Sequence, residues 1–114
     1  MTLAETANLP QAQVLDRIVD RVSAVAQPQR IVLFGSGARG EIGRNSDLDL
    51  LVIVRGQVHR RALAQEIYRN LRGIAVPVDI IVATEQDVVQ YGDRVGTILR
   101  PALREGVTIY EAPS

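Results

Sequence analysis

An α/β fold is predicted by the way the hydrophobic period changes along the chain. Stretches with apolar residues at helical spacing alternate with short, continuous runs of Val, Ile and Leu that read as strands. Composition supports this. The chain is 46% hydrophobic but only 4% aromatic, so its core is built mainly from Val, Ile, Leu and Ala. Branched aliphatic side chains of this kind pack well on a pleated sheet. At 114 residues the chain is expected to form a single domain spanning 1–114.

The elements are predicted in order. Residues 1–8 are read as a loose start, followed by a first helical turn at Leu9 and Pro10. Val14, Leu15, Ile18, Val19, Val22 and Val25 recur at helical spacing, so a helix is expected to about Ala26 and to stop before Pro28. Arg30 to Phe34 is an apolar run that Gly35 stops, and it is predicted as a buried strand. A Gly-rich connection leads to a second strand, Leu48 to Val54. A helix is predicted from Val58 to Leu71 and a third strand from Pro77 to Ala83. Thr84, with Asp87 three residues on, has the pattern of a capping box and opens a short helix to about Gln90. A last helix is expected around Val95 to Leu103, bent at Pro101 and ended by Gly106 as the residue after its cap. Val107 to Tyr110 reads as a final edge strand.

Charge and residue usage exclude several classes. There is no cysteine, so disulfides and Cys-based zinc sites are ruled out. No run approaches the roughly 20 apolar residues of a membrane span, and no signal pattern opens the chain, so a cytoplasmic protein is expected. The 13 basic and 13 acidic residues cancel, which argues against direct nucleic-acid binding. All the basic residues are arginine, a bias that genome composition produces. It means that phosphate contacts must come from guanidinium groups or from backbone N–H groups.

The candidate chemistry lies in Gly35-Ser36-Gly37-Ala38-Arg39-Gly40 and in Ser46-Asp47-Leu48-Asp49-Leu50. Asp47 and Asp49 are two apart at the head of a strand, so their side chains share a face. Two adjacent carboxylates repel unless they are wet, protonated or bridged by a cation. Mg²⁺ suits them, since it takes hard oxygen ligands together with substrate phosphates. Asp79 sits in the otherwise apolar Val78-Asp79-Ile80-Ile81-Val82, where a buried carboxylate needs a partner. If its strand lies beside Leu48 to Val54, three carboxylates can hold two ions about 4 Å apart. The Gly35-Ser36 turn directs backbone N–H groups and a hydroxyl toward a phosphate, with Arg39 and Arg44 nearby in sequence.

Taken singly, each feature has a plainer reading. Asp-x-Asp is often a turn or cap, Gly-Ser-Gly a turn, Asp79 an edge-strand charge in solvent, and Arg39 and Arg44 solvated surface. His59 is read as surface, and Tyr68, Tyr91 and Tyr110 as rim residues of the core. The spacing Gly35-x-Gly37-x-x-Gly40 also matches a dinucleotide-binding fingerprint. Only six residues separate Gly40 from Asp47, however, too few for the crossover helix of that fold. A kinase Gly-rich loop is excluded because no lysine exists to serve it.

In combination, Gly35-Ser36, ten residues, then Asp47-Leu48-Asp49 resembles the signature of the DNA polymerase β-like nucleotidyltransferases. Ala38-Arg39-Gly40 and Ser46 are similar to the minimal prokaryotic branch, and the resemblance extends through Glu105-Gly106-Val107 and Tyr110-Glu111. It implies a mixed sheet with flanking helices. It implies a nucleotide held by Gly35, Ser36, Arg39, Arg44 and Ser46, and Mg²⁺, two ions in the active complex, held by Asp47, Asp49 and Asp79. Asp79 would also activate the acceptor. The reaction implied is attack of a hydroxyl on the α-phosphorus of ATP.

Larger relatives carry a C-terminal helical domain for the acceptor, and this chain has none, so another protein is expected to complete the site. In the minimal branch the common partner is a small all-helical ribonuclease toxin of the HEPN type, whose tyrosine is adenylylated by the nucleotidyltransferase acting as antitoxin. Two other readings stay open: an antitoxin that acts by binding alone, and the catalytic subunit of a small-molecule nucleotidyltransferase, for instance one acting on aminoglycosides.

Overall fold

The computed structural model describes residues 11–35, 48–74, 76–94 and 96–113. Helix α1 spans Gln11–Ala26 and buries Val14, Ile18 and Val22, spaced by four, on one stripe. It closes at Gln27, which takes a left-handed φ of 48°, and Pro28 follows. Strand β1 (Arg30–Phe34) and strand β2 (Leu48–Val54) have the bounds that their apolar runs predict.

Helix α2 spans Arg60–Asn70, two residues shorter at its start and one at its end than expected. The start is set by His59. Its Nδ1 accepts the N–H of Ala62 at 3.2 Å, so the imidazole does the capping work that Ser or Asp usually does. Strand β3 covers Val78–Thr84 and helix α3 covers Glu85–Tyr91. Between them the predicted capping box is formed. Thr84 Oγ1 accepts from the Asp87 N–H at 3.0 Å, and Asp87 Oδ2 accepts from the Thr84 N–H at 2.9 Å.

Helix α4 is Leu99–Glu105, shorter than the sequence period suggests. Pro101 therefore falls in its first turn, where a missing N–H removes no helical bond, and no bend is needed. Gly106 caps α4 with φ −77° and ψ 165°, an extended rather than a left-handed conformation. Its glycine is demanded by space. A Cβ there would run into the Ala102 carbonyl and Val32 Cγ1, so Gly106 lets α4 lie close on β1. Strand β4 (Val107–Glu111) follows at once.

The four strands form one sheet in the order β3-β2-β1-β4. β1 runs antiparallel to β2 and to β4, while β2 and β3 are parallel, joined across α2. The sheet is thus mixed, as the resemblance implies. Side chains alternate between its two faces. Leu48, Leu50, Val52 and Val54, with Ile31, Leu33, Ile80 and Val82, pack on α1 and α2 against Ile18, Val22 and Ile67. The opposite face, with Val32, Phe34, Leu51, Ile53 and Ala83, packs on α4 through Leu99 and Ala102 and on α3 through Val88 and Tyr91. Both outer strands carry features that discourage further pairing. Tyr68 Oη accepts the outward N–H of Ile80 at 2.8 Å on β3. The β1–β4 register slips between Ile31, opposite Tyr110, and Val32, opposite Thr108, so β4 is bulged at Ile109.

Candidate active site

The site is assembled by strand register. Asp49 of β2 lies opposite Phe34 of β1 on one side and Asp79 of β3 on the other. Neighbouring strands lie about 4.8 Å apart, so the two aspartates are next to each other on the sheet. Residues two apart share a face, so Asp49 belongs with Leu51 and Ile53, and Asp79 with Ile81 and Ala83. Both carboxylates are therefore on the face that carries α3 and α4, at its far end from Thr84. Asp49 is half-buried and Asp79 is exposed.

That exposure corrects one part of the sequence reading. β3 is an edge strand, and its first residues are only partly covered, so Asp79 is not a buried charge in need of rescue. Desolvation does not force a ligand on it. Its position beside Asp49 is what singles it out.

Gly35 completes the described part of the site. It ends β1 with φ +72°, a backbone conformation that L side chains rarely adopt. A Cβ on Gly35 would also collide with Asp49 Oδ2. Glycine is thus required twice over, by backbone conformation and by the closeness of the Asp49 carboxylate. Ser36, Arg39, Arg44, Ser46 and Asp47, the other predicted site residues, lie outside the described residues.

The donor set suits a hard divalent cation. Two carboxylates share a face at adjacent register positions, with backbone rather than a side chain packed against Asp49 Oδ2. Among the described residues no group of three or more His, Cys, Asp or Glu is gathered for a metal. The third carboxylate expected from the sequence is Asp47.

A separate hollow of about 810 Å³ opens along the other half of β3. It is bounded by the β2–α2 connection at Gly56 and Gln57, by Ile81 to Thr84, by α3 and by Thr97 to Leu99. Neither Asp49 nor Asp79 lines it, but Ile81 is two residues along the same face from Asp79. Arg60 and Asp87 meet at its wall in a two-pronged pair, Nε to Oδ2 at 2.9 Å and Nη2 to Oδ1 at 2.7 Å. Burial pushes the Asp87 carboxyl up. The Thr84 N–H and the Arg60 guanidinium outweigh that and hold it below the ordinary carboxylate value. The Arg60–Asp87 pair and the glutamines of this hollow escaped the sequence reading. Neutral amides at a surface carry no signature in a single sequence, and the pairing spans 27 residues.

Residues 14–103 match the model of the nucleotidyltransferase domain family. No curated protein gives a significant match. Among solved structures, a putative nucleotidyltransferase from Sulfolobus solfataricus is 25% identical, with a TM-score of 0.58 over 88% of this chain and 79% of that one. A toxin–antitoxin structure with AMP-PNP is 22% identical, with a TM-score of 0.57 over 86% and 73%. The toxin–antitoxin MntA–HepT is 19% identical, with a TM-score of 0.53 over 90% and 74%. At these last two identities the likeness is one of fold. With its family model covering most of the chain, and a mixed sheet that sets two aspartates side by side next to a glycine turn, this chain belongs to the nucleotidyltransferase domain family.

Proposed function

We propose that this chain is a Mg²⁺-dependent nucleotidyltransferase that transfers AMP from ATP to a hydroxyl, with a tyrosine of a HEPN-type, all-helical toxin as acceptor, and that it acts in the cytoplasm as the antitoxin. The observation that carries the chemistry is the register Phe34–Asp49–Asp79, with Gly35 pressed against the Asp49 carboxylate. The antitoxin role draws support from the neighbours of like fold, two of which are toxin–antitoxin structures, one of them with AMP-PNP. Among the described residues no helix is long and apolar enough to cross a membrane, which is compatible with a cytoplasmic site of action.

In this reading Gly35, Ser36, Ser46, Arg39 and Arg44 hold the triphosphate, and Asp47, Asp49 and Asp79 hold the metal. Mg²⁺, when bound, offsets negative charge on the attacking and leaving oxygens. The residues contribute position and charge. Gly35 leaves room for a phosphate oxygen to approach backbone N–H groups. Asp79, exposed at the sheet edge, can be reached by an incoming hydroxyl and can take its proton. As the acceptor oxygen bonds to the α-phosphorus, the bond to the bridging oxygen breaks and its electron pair leaves on pyrophosphate.

The test is the intact mass of the product of the adjacent gene, co-expressed with this chain or with its Asp47→Asn/Asp49→Asn variant. The proposal expects AMP on that protein with wild type only. An unmodified partner that is still neutralised would make the chain a binding antitoxin. Modification by the double variant would remove the carboxylates from the chemistry.

A further inference from the structure

One contact beside Asp79 does more than cover the sheet edge. Tyr68 of α2 reaches the outer side of β3, where its Oη accepts the Ile80 N–H at 2.8 Å. Ile80 follows Asp79 directly, so this N–H belongs to the peptide unit that leaves the Asp79 Cα. Any bulky side chain would cover the edge. A hydroxyl acceptor in this place also fixes the plane of that unit.

The other end of the unit is held by the ladder. Leu48 N–H donates to the Pro77 carbonyl, and the parallel register sets Leu48 opposite Val78 and Leu50 opposite Ile80. The same pattern, carried along the ladder, puts the Asp79 N–H on the Leu48 carbonyl and the Leu50 N–H on the Asp79 carbonyl. A peptide group is a rigid plane. With its carbonyl on β2 and its N–H on Tyr68, the unit after Asp79 cannot tilt. That tilt is the ψ angle of Asp79. With the units on both sides held, the direction of the Asp79 Cα–Cβ bond relative to Asp49 is set.

Asp79 has need of such a brace. β3 ends the sheet, and at its start Val78 is half-buried and Asp79 exposed, so packing does little to hold the carboxylate. Tyr68 is well anchored by comparison. Ile67 and Leu71, on either side of it along α2, are buried in the core. The end of α2 is also tied to α1. Asn70 Nδ2 donates to the Arg21 carbonyl at 2.7 Å, and Arg21 Nη1 donates to the carbonyls of Asn70 and Arg72, each at 3.1 Å. The hydroxyl is thus presented to β3 from a fixed platform.

We infer that Tyr68 is a positioning residue, which sets the Asp79 carboxylate beside Asp49 by holding the Ile80 N–H. The inference rests on the nucleotidyltransferase reading above, in which both carboxylates hold Mg²⁺. Groups that orient a metal ligand without touching the metal commonly change metal affinity by about 10–100-fold when removed.

The test uses the full chain and Tyr68→Phe, which keeps the ring and removes only the hydroxyl. Tyr110→Phe, on β4 at the opposite edge, is the reference. Four quantities are measured: the ligand-free melting temperature, the exchange rate of the Ile80 amide by NMR, and the Kd for Mg-ATP and for ATP in EDTA by calorimetric titration. Tyr68→Phe is expected to melt within about 5 °C of wild type, since water can replace one hydrogen bond at an edge. Its Ile80 amide should exchange faster, and its Kd for Mg-ATP should rise about tenfold while that for metal-free ATP stays the same. Tyr110→Phe should change none of these. An unchanged Kd for Mg-ATP in Tyr68→Phe overturns the inference and leaves Tyr68 as cover for the edge. Equal weakening of Mg-ATP and metal-free ATP, equal weakening in both variants, or an Ile80 amide that exchanges no faster overturns it as well. A wild-type chain that binds no Mg-ATP overturns the nucleotidyltransferase reading itself, and the inference with it.

Discussion

Gly35 is the residue at which the fold and the proposed chemistry meet most closely. Any side chain there would have to adopt φ +72° and displace the Asp49 carboxylate. Gly35→Ala is expected to lose about 1–2 kcal/mol from the left-handed backbone alone. The contact with Asp49 adds to this, so chemical denaturation should show at least that loss. The same variant should bind Mg-ATP more weakly, because relief of the collision moves Asp49. A Gly35→Ala chain with wild-type stability would mean that the β1 terminus is free to rearrange. The sequence made Gly35, Asp49 and Asp79 visible as residue types in a spaced pattern. It did not make visible that Asp79 is exposed, because an apolar run reads alike in a central strand and in the half-covered start of an edge strand.

At the scale of elements, the turn from β3 into α3 makes a pH-dependent prediction. Thr84 and Asp87 cap each other, and Asp87 also holds Arg60 at the head of α2. The Asp87 carboxyl is held below its ordinary value, so its folded pKa is lower than its unfolded one. Stability from this group is therefore present above the ordinary carboxylate pKa of 3.8 and lost as pH falls through the lowered folded value. Asp87→Asn should make stability flatter across the acid range below pH 3.8, read by thermal melts against pH. A variant with the same acid slope as wild type would show that the acid loss arises elsewhere. Thr84→Ala should cost about 1 kcal/mol, the usual value for a lost N-cap.

The joint between α4 and β4 depends on Gly106 for its closeness. Gly106→Ala should destabilise by about 1–3 kcal/mol, as overpacking does. β1 and β2 were legible to the residue because their apolar runs end at a glycine or at charged residues. α2 and α4 were less so. An imidazole cap at His59 has no settled place among cap signals, and a helical period continues into turns that the backbone does not make helical.

For the whole molecule, the decisive features are long-range and lie beyond sequence pattern. Parallel pairing of β2 with β3 brings Asp49 beside Asp79, 30 positions later in the chain, and this needs α2 to cross over and the register to fall on these residues. A register shift of one residue would turn Asp79 to the α1–α2 face. The sequence supported adjacency only through a plausible strand order and a family likeness. The hollow along the far half of β3 had no sequence signal, because three separated segments build it. A molecule arranged in this way should be more stable when its acidic site is filled, since a ligand that binds only the folded state raises the melting temperature.

The most direct test of the central claim, that Asp49 and Asp79 form one Mg-nucleotide site, is the Mg-ATP-induced shift in melting temperature for wild type, Asp49→Asn, Asp79→Asn and the double variant. A clear rise is expected for wild type, with most of it lost in either single variant. Little further loss is expected in the double, because groups that act as a unit are not additive. Single variants that keep the wild-type rise, or losses that simply add, would contradict that claim.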